Sequence, residues 1–219
     1  MTVPKYEKKD DHEKKMNIEI KKLSPELTED YLRFFDTTPH SERPDEGDCK
    51  CYCVWWSAEK QDKEVFEAFL DTREKRREYA RRKIAEGKIR GHLAYAGGKV
   101  VGWCNANEKS KCYECFCWSR FMKEISREDP SEKVMAVFCF AVSPEYRGMG
   151  IASALLSRVC EDAKEEGYSF VEAYPNAKFE DQAKDYMGPI GMYRKAGFSV
   201  KYSASGKKVV RKCVHREDK

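Results

Sequence analysis

Apolar positions along this chain fall into short runs, and the period of each run predicts an element. Met16-Asn-Ile-Glu-Ile alternates apolar and polar positions as a strand does. Ser24-Pro25-Glu26 supplies a cap, a proline for the first helical position and an early acid, which predicts a helix through Leu32 and Phe35. A second helix is expected from Asp62 to Glu86, with Val65, Phe66, Phe69 and Leu70 on one stripe and Gly87 as its stop. HLAYA and KVVGWCNAN flank Gly97-Gly98, a two-residue turn that favours an antiparallel hairpin. The run Val134 to Val142 is apolar on both faces, as a central strand is. Ile151 to Glu166 has helical period, with Ala152, Leu156, Val159, Cys160 and Ala163 sharing a face, and Phe170 to Tyr174 returns as a strand. That strand, helix and strand form a βαβ unit, so the two strands are expected to be parallel. A short helix from Met192 to Ala196 and a hairpin of Phe198–Ser203 with Lys208–Val214 close the pattern.

These elements place the chain in the α/β (α+β) class, with one domain from residue 16 to 219 and an irregular insertion at about 108–133. Residues 1–15 are almost all polar and read as a flexible charged tail. No stretch approaches the roughly 20 apolar residues of a membrane helix, and the N-terminus lacks the apolar core of a signal peptide. A cytoplasmic protein without membrane contact is expected. The 42 basic and 38 acidic side chains nearly balance. Arg73 to Arg90 is basic, yet its alternating signs favour a solvated helix face over a nucleic-acid patch.

The segment Arg147-Gly148-Met149-Gly150-Ile151-Ala152-Ser153 lies between a buried strand and a helix start. The first amides of a helix have no internal partner and carry the positive end of its dipole, so they stabilise anionic oxygens. Glycines at 148 and 150 leave no Cβ to hold a diphosphate away, and Arg147 adds a charge. The bland alternative is a tight chain reversal. A phosphate loop of the Gly-x4-Gly-Lys type is absent, and a dinucleotide fingerprint would need a third glycine where Ser153 stands, although Glu172 keeps a dinucleotide-binding reading open.

The string AVSPEYRGMGIASALL resembles the acyl-CoA signature of the GNAT superfamily of N-acyltransferases, matched here at Arg147, Gly150 and Ala152. The resemblance continues through VEAYP to MYRKAGF and covers Val134 to Val200 best, with the HLAYAGGKVVGW hairpin as weaker support. It implies a GNAT-like mixed sheet, mostly antiparallel with a central parallel pair, flanked by helices. It also implies that the parallel strands part to admit a pantetheine arm along Phe140, Ala141 and Val142, with an amide there polarising the thioester oxygen. Acetyl-CoA is then the expected co-substrate, and a small-molecule or peptide amine the acceptor. Tyr193 stands where the resemblance puts the general acid, with plain ring packing as the alternative.

For the proton acceptor, Glu172 at the end of a cleft-lining strand is the first candidate, followed by His92 and Asp185, with water as a further option. Asn176 suits either a pantetheine hydrogen bond or a cap. The longer link from Asn176 to Ile190 is expected to border the acceptor pocket. Ten cysteines without a secretory signal argue against a disulfide framework. Cys49, Cys51 and Cys53, if in a strand, would face one side as buried thiols; with Cys112, Cys115 and Cys117 they also offer the alternative of a zinc- or redox-active cysteine module. A monomer or homodimer is expected.

Overall fold

The computed structural model describes residues 17–38, 50–58, 72–127, 131–178 and 185–215. The expected tail, Met16, Cys49 and the 62–71 part of the second helix lie outside the described residues. Seven strands form one sheet: β1 (Ile18–Lys22), β2 (Gly91–Ala96), β3 (Lys99–Glu108), β4 (Val134–Val142), β5 (Phe170–Ala173), β6 (Ser199–Ala204) and β7 (Lys207–Cys213), in spatial order β1-β2-β3-β4-β5-β7-β6. Every neighbouring pair is antiparallel except β4 and β5, which run parallel. Gly97 and Gly98 take φ of 56° and 78°, the left-handed conformation their hairpin turn needs.

Among the described residues five helices cover the sheet: α1 (Thr28–Thr37), α2 (Arg73–Ala85), α3 (Phe116–Phe121), α4 (Ile151–Glu165) and α5 (Ile190–Lys195). Apolar side chains of α1, α2 and α3 fill a core on one face of the sheet, and those of α4 and α5 fill a second core on the other. The 24–26 segment opens as a short 3-10 turn over Pro25–Leu27 before α1 begins. The basic run forms α2 as a solvated helix, but its arginines reach mainly across to α1. Arg77 pairs with Asp36 at 3.1 Å, and Arg81 pairs with Glu29. No helix among the described residues is long and apolar enough to cross a membrane.

Two further departures matter. Residues 51–56 do not form the expected strand: Tyr52 and Cys53 both take positive φ, and a 3-10 turn follows at Val54–Trp56. The insertion is less irregular than its sequence implied, since α3 sits within it and buries Cys112, Cys115, Cys117 and Trp118 against the first core.

Gly102 on β3 positions α4. A Cβ there would lie 2.8 Å from Cγ2 of Ile151, so its absence lets the first turn of α4 settle directly on the sheet. The β3–β4 register slips once, because Asn105 opposes Cys139 while Ala106 opposes Val137, leaving Phe138 as the extra residue of a bulge. The bulge reverses the facing of β4: Ala136, Phe138, Cys139 and Ala141 face the first core, and Met135, Val137, Phe140 and Val142 the second.

Candidate active site

Backbone pairing between β4 and β5 ends at Val137 and Ala173, and β4 continues to Val142 paired only with β3. The two strands part at the bulge. Aromatic rings fill the wedge: Trp56 stacks on Phe138 at 4.4 Å, Phe138 on Tyr174 at 5.8 Å, and Trp118 meets Phe138 edge-on. Beyond the bulge, alternation turns the amides of Phe140 and Val142 toward the open edge; the Ser143 amide, of opposite parity, bonds Val101 O on β3 at 3.0 Å.

At the far end of β4 the chain passes through a 3-10 turn at Pro144–Tyr146 and reaches Gly148 and Gly150 at φ of 76° and 82°. Gly150 is the residue preceding α4, and no side chain caps the helix there. A Cβ built on either glycine meets nothing within 4 Å, so the surface beside these amides is open to a ligand. Arg147 donates from Nε to Val142 O at 3.2 Å, which ties the turn to the end of β4. Met149 and Ser153 are exposed, Ala152 is half-buried, and Ile151 is buried under the turn.

Tyr193 on α5 is fully buried and donates its hydroxyl to Met187 O at 2.6 Å. Burial, with the thiols of Cys104, Cys139 and Cys160 adding less, pushes its phenol well above the ordinary tyrosine value. It packs at 6.5 Å from the Phe140 ring, beside the open edge of β4.

Glu172 on β5 is also fully buried, but both its oxygens are engaged. Oε1 pairs with Lys109 Nζ at 2.7 Å, and Oε2 accepts from Arg211 Nη2 at 2.6 Å and Nε at 2.9 Å. This geometry ties the insertion to β5 and β7 and commits the carboxylate to two cations. Lys109 and Arg211 escaped the sequence reading because nothing local marks a lysine as buried.

His92 on β2 bonds Asp162 of α4 at 2.7 Å, on the second-core face and away from the wedge. Asn176, just past β5, donates from Nδ2 to Asp185 at 2.8 Å and accepts from Lys207 Nζ at 3.1 Å. Asn176 and Asp185 are thus brought together, while His92 is not.

On the first-core face lies a thiol group that spacing alone did not single out. Asn105 donates from Nδ2 to Cys53 Sγ at 3.2 Å, and the Cys139 thiol hydrogen-bonds the same sulfur. That bond is the main influence holding the Cys53 thiol below its ordinary value, against the effect of burial. Among the described residues no group of three or more His, Cys, Asp or Glu is arranged to hold a metal ion.

A parallel pair that parts beside a glycine turn at a helix start defines an acyl-CoA transferase fold of the GNAT type. Residues 24–198 match the family described as Acetyltransferase (GNAT), and the chain belongs to that family, whose co-substrate is acetyl-CoA. It is 31% identical over 99 residues to human N-acetyltransferase 8B, a match covering 41% of this chain and 40% of that protein. The chain thus aligns with less than half the length of that relative. The PaiA N-acetyltransferase of Thermoplasma acidophilum, solved in complex with coenzyme A, superposes with a TM-score of 0.50 at 18% identity, over 90% of this chain and 99% of that one. An N-acetyltransferase from Staphylococcus aureus Mu50 gives 0.48 at 16% identity, with the same coverage.

Proposed function

We propose that this chain is an N-acetyltransferase, one domain spanning 16–219, that transfers an acetyl group from acetyl-CoA to a primary amine of a small molecule or peptide by direct attack on the thioester. The observation that carries this reading is the stretch of β4 beyond its pairing with β5, which leads straight into the glycine turn of α4. Acetyl-CoA supplies the activated acyl carbon and a thiolate leaving group.

The chain's own residues do the rest. The amides from Arg147 to Ser153 hold the diphosphate, because the glycines present open main chain at the positive end of α4. Phe140, Ala141 and Val142 align the pantetheine arm, and the Phe140 amide polarises the thioester oxygen. Tyr193 keeps its proton at neutral pH and delivers it from its hydroxyl to the departing sulfur. Asn176 adds a side-chain amide to the arm. With both Glu172 oxygens engaged, water takes the proton of the acceptor ammonium. The aromatic wedge of Trp56, Phe138 and Tyr174 walls the acceptor side and suits an amine carried on a flat or apolar body. A cytoplasmic monomer or homodimer is the matching state.

Calorimetric titration with acetyl-CoA tests the donor site. Replacing both Gly148 and Gly150 with valine is expected to weaken binding at least tenfold, since each position has positive φ and a branched Cβ would stand where phosphate oxygens approach. Unchanged affinity would sink the reading.

A further inference from the structure

The open edge of β4 is partly filled by the chain itself. The Phe140 amide donates to Tyr186 O at 2.7 Å, and Tyr186 belongs to a tight turn in which the Gly188 amide returns to Asp185 O at 2.8 Å. Two side chains fasten this turn. Asn176 Nδ2 holds the Asp185 carboxylate at 2.8 Å, and the Tyr193 hydroxyl holds Met187 O at 2.6 Å. Gly188 takes φ of 84°, and a Cβ on it would meet the Met192 methyl at 2.8 Å and the Phe140 ring at 3.3 Å, so the turn is pressed closely against β4.

We propose that residues 185–188 form a strap that occupies the acyl seat on β4 in the free protein and is displaced when acetyl-CoA binds. An amide hydrogen makes one well-aligned hydrogen bond, so Tyr186 O and a thioester oxygen compete for the Phe140 amide. The inference rests on the donor reading above and adds to it a gate. Tyr193 and Asn176, the two side chains assigned to the donor, are both committed to the strap while it is closed. Its displacement frees the proton donor and the amide together, so the machinery is assembled only once the arm has arrived. Closure also lowers the apparent affinity for the donor by the fraction of protein that is open.

Hydrogen exchange read by mass spectrometry on the full chain tests this, with two probes. Phosphoadenosine diphosphate, the donor's head without its pantetheine arm, should bind and leave protection of the Tyr186–Gly188 amides unchanged. Acetyl-CoA should speed their exchange about tenfold or more. Failure of the head to bind overturns the donor reading itself. A head that binds, with acetyl-CoA leaving those amides as protected as before, overturns the strap and spares the donor site. Independently, Gly188→Ala strains the closed turn and should tighten acetyl-CoA about fivefold relative to the head. Asp185→Ala, which unhooks Asn176, should shift the ratio the same way. A ratio unchanged or reversed in both variants refutes the gate.

Discussion

Tyr193 and Glu172 are both wholly enclosed, yet their partners give them different work. Tyr193 donates to a single carbonyl and is kept protonated by burial, so Tyr193→Phe should lower kcat about a hundredfold, without weakening acetyl-CoA binding. Steady-state kinetics beside a binding titration check this. For the same reason kcat of the native protein should show no alkaline fall from phenol ionisation up to the ordinary tyrosine value of 10.0. Glu172 is clamped by two cations, and Glu172→Gln removes the negative charge that Lys109 and Arg211 share. Denaturant unfolding should register a loss of about 3 kcal/mol, while kcat per folded molecule stays within about threefold. A collapse of kcat with stability intact would restore Glu172 as the proton acceptor.

The seating of α4 depends on a position in a different element. Gly102→Ala on β3 brings a methyl to 2.8 Å from the branched side chain of Ile151, which cannot swing away inside the core. The helix start must lift, costing about 1 to 3 kcal/mol in stability. Acetyl-CoA affinity should fall with it, although Gly102 itself lies beneath the helix; thermal unfolding and titration of the one variant measure both. Elements whose signal is local were legible from the sequence. The Gly97-Gly98 hairpin, the apolar run of β4, the period of α4 and the glycine turn all rest on residues adjacent in the chain. Three features were not. The every-other-residue spacing of Cys51 and Cys53 imitates a strand, but left-handed backbone at Tyr52 and Cys53 makes it a turn. The bulge at Phe138 leaves no trace, because an apolar run reads the same with either facing. The position of Tyr186 O on the Phe140 amide joins segments remote in sequence.

For the whole molecule, the link between β2 and α4 sets a pH dependence of stability. Burial lowers the proton affinity of His92 below the ordinary 6.5, although Asp162 pulls the other way. Burial likewise opposes the charge on Asp162, but hydrogen bonds from His92 and Arg158 outweigh it and hold that carboxyl below its usual value. In both cases the unfolded chain binds more protons than the folded one, so stability falls as pH falls. The histidine part disappears first, as pH drops below 6.5, at no more than about 1.4 kcal/mol per pH unit; the aspartate part follows below the carboxylate range. Melting curves from pH 7 to 5 should therefore decline less steeply for His92→Gln than for the native chain. Equal slopes would place the effect elsewhere.

The single extra residue at Phe138 turns the stretch from there to Gly150 into a ruler. Its near end decides which side chains face each of the two cores, and its far end decides where the amides at the start of α4 stand. Losing or gaining one position before Phe140 would turn Phe140 and Val142 to the other face, and losing or gaining one after Val142 would slide the helix start out of step with them. β6, a mostly exposed strand at the edge of the sheet, bears no such constraint of length, so it is the natural place for this scaffold to absorb change.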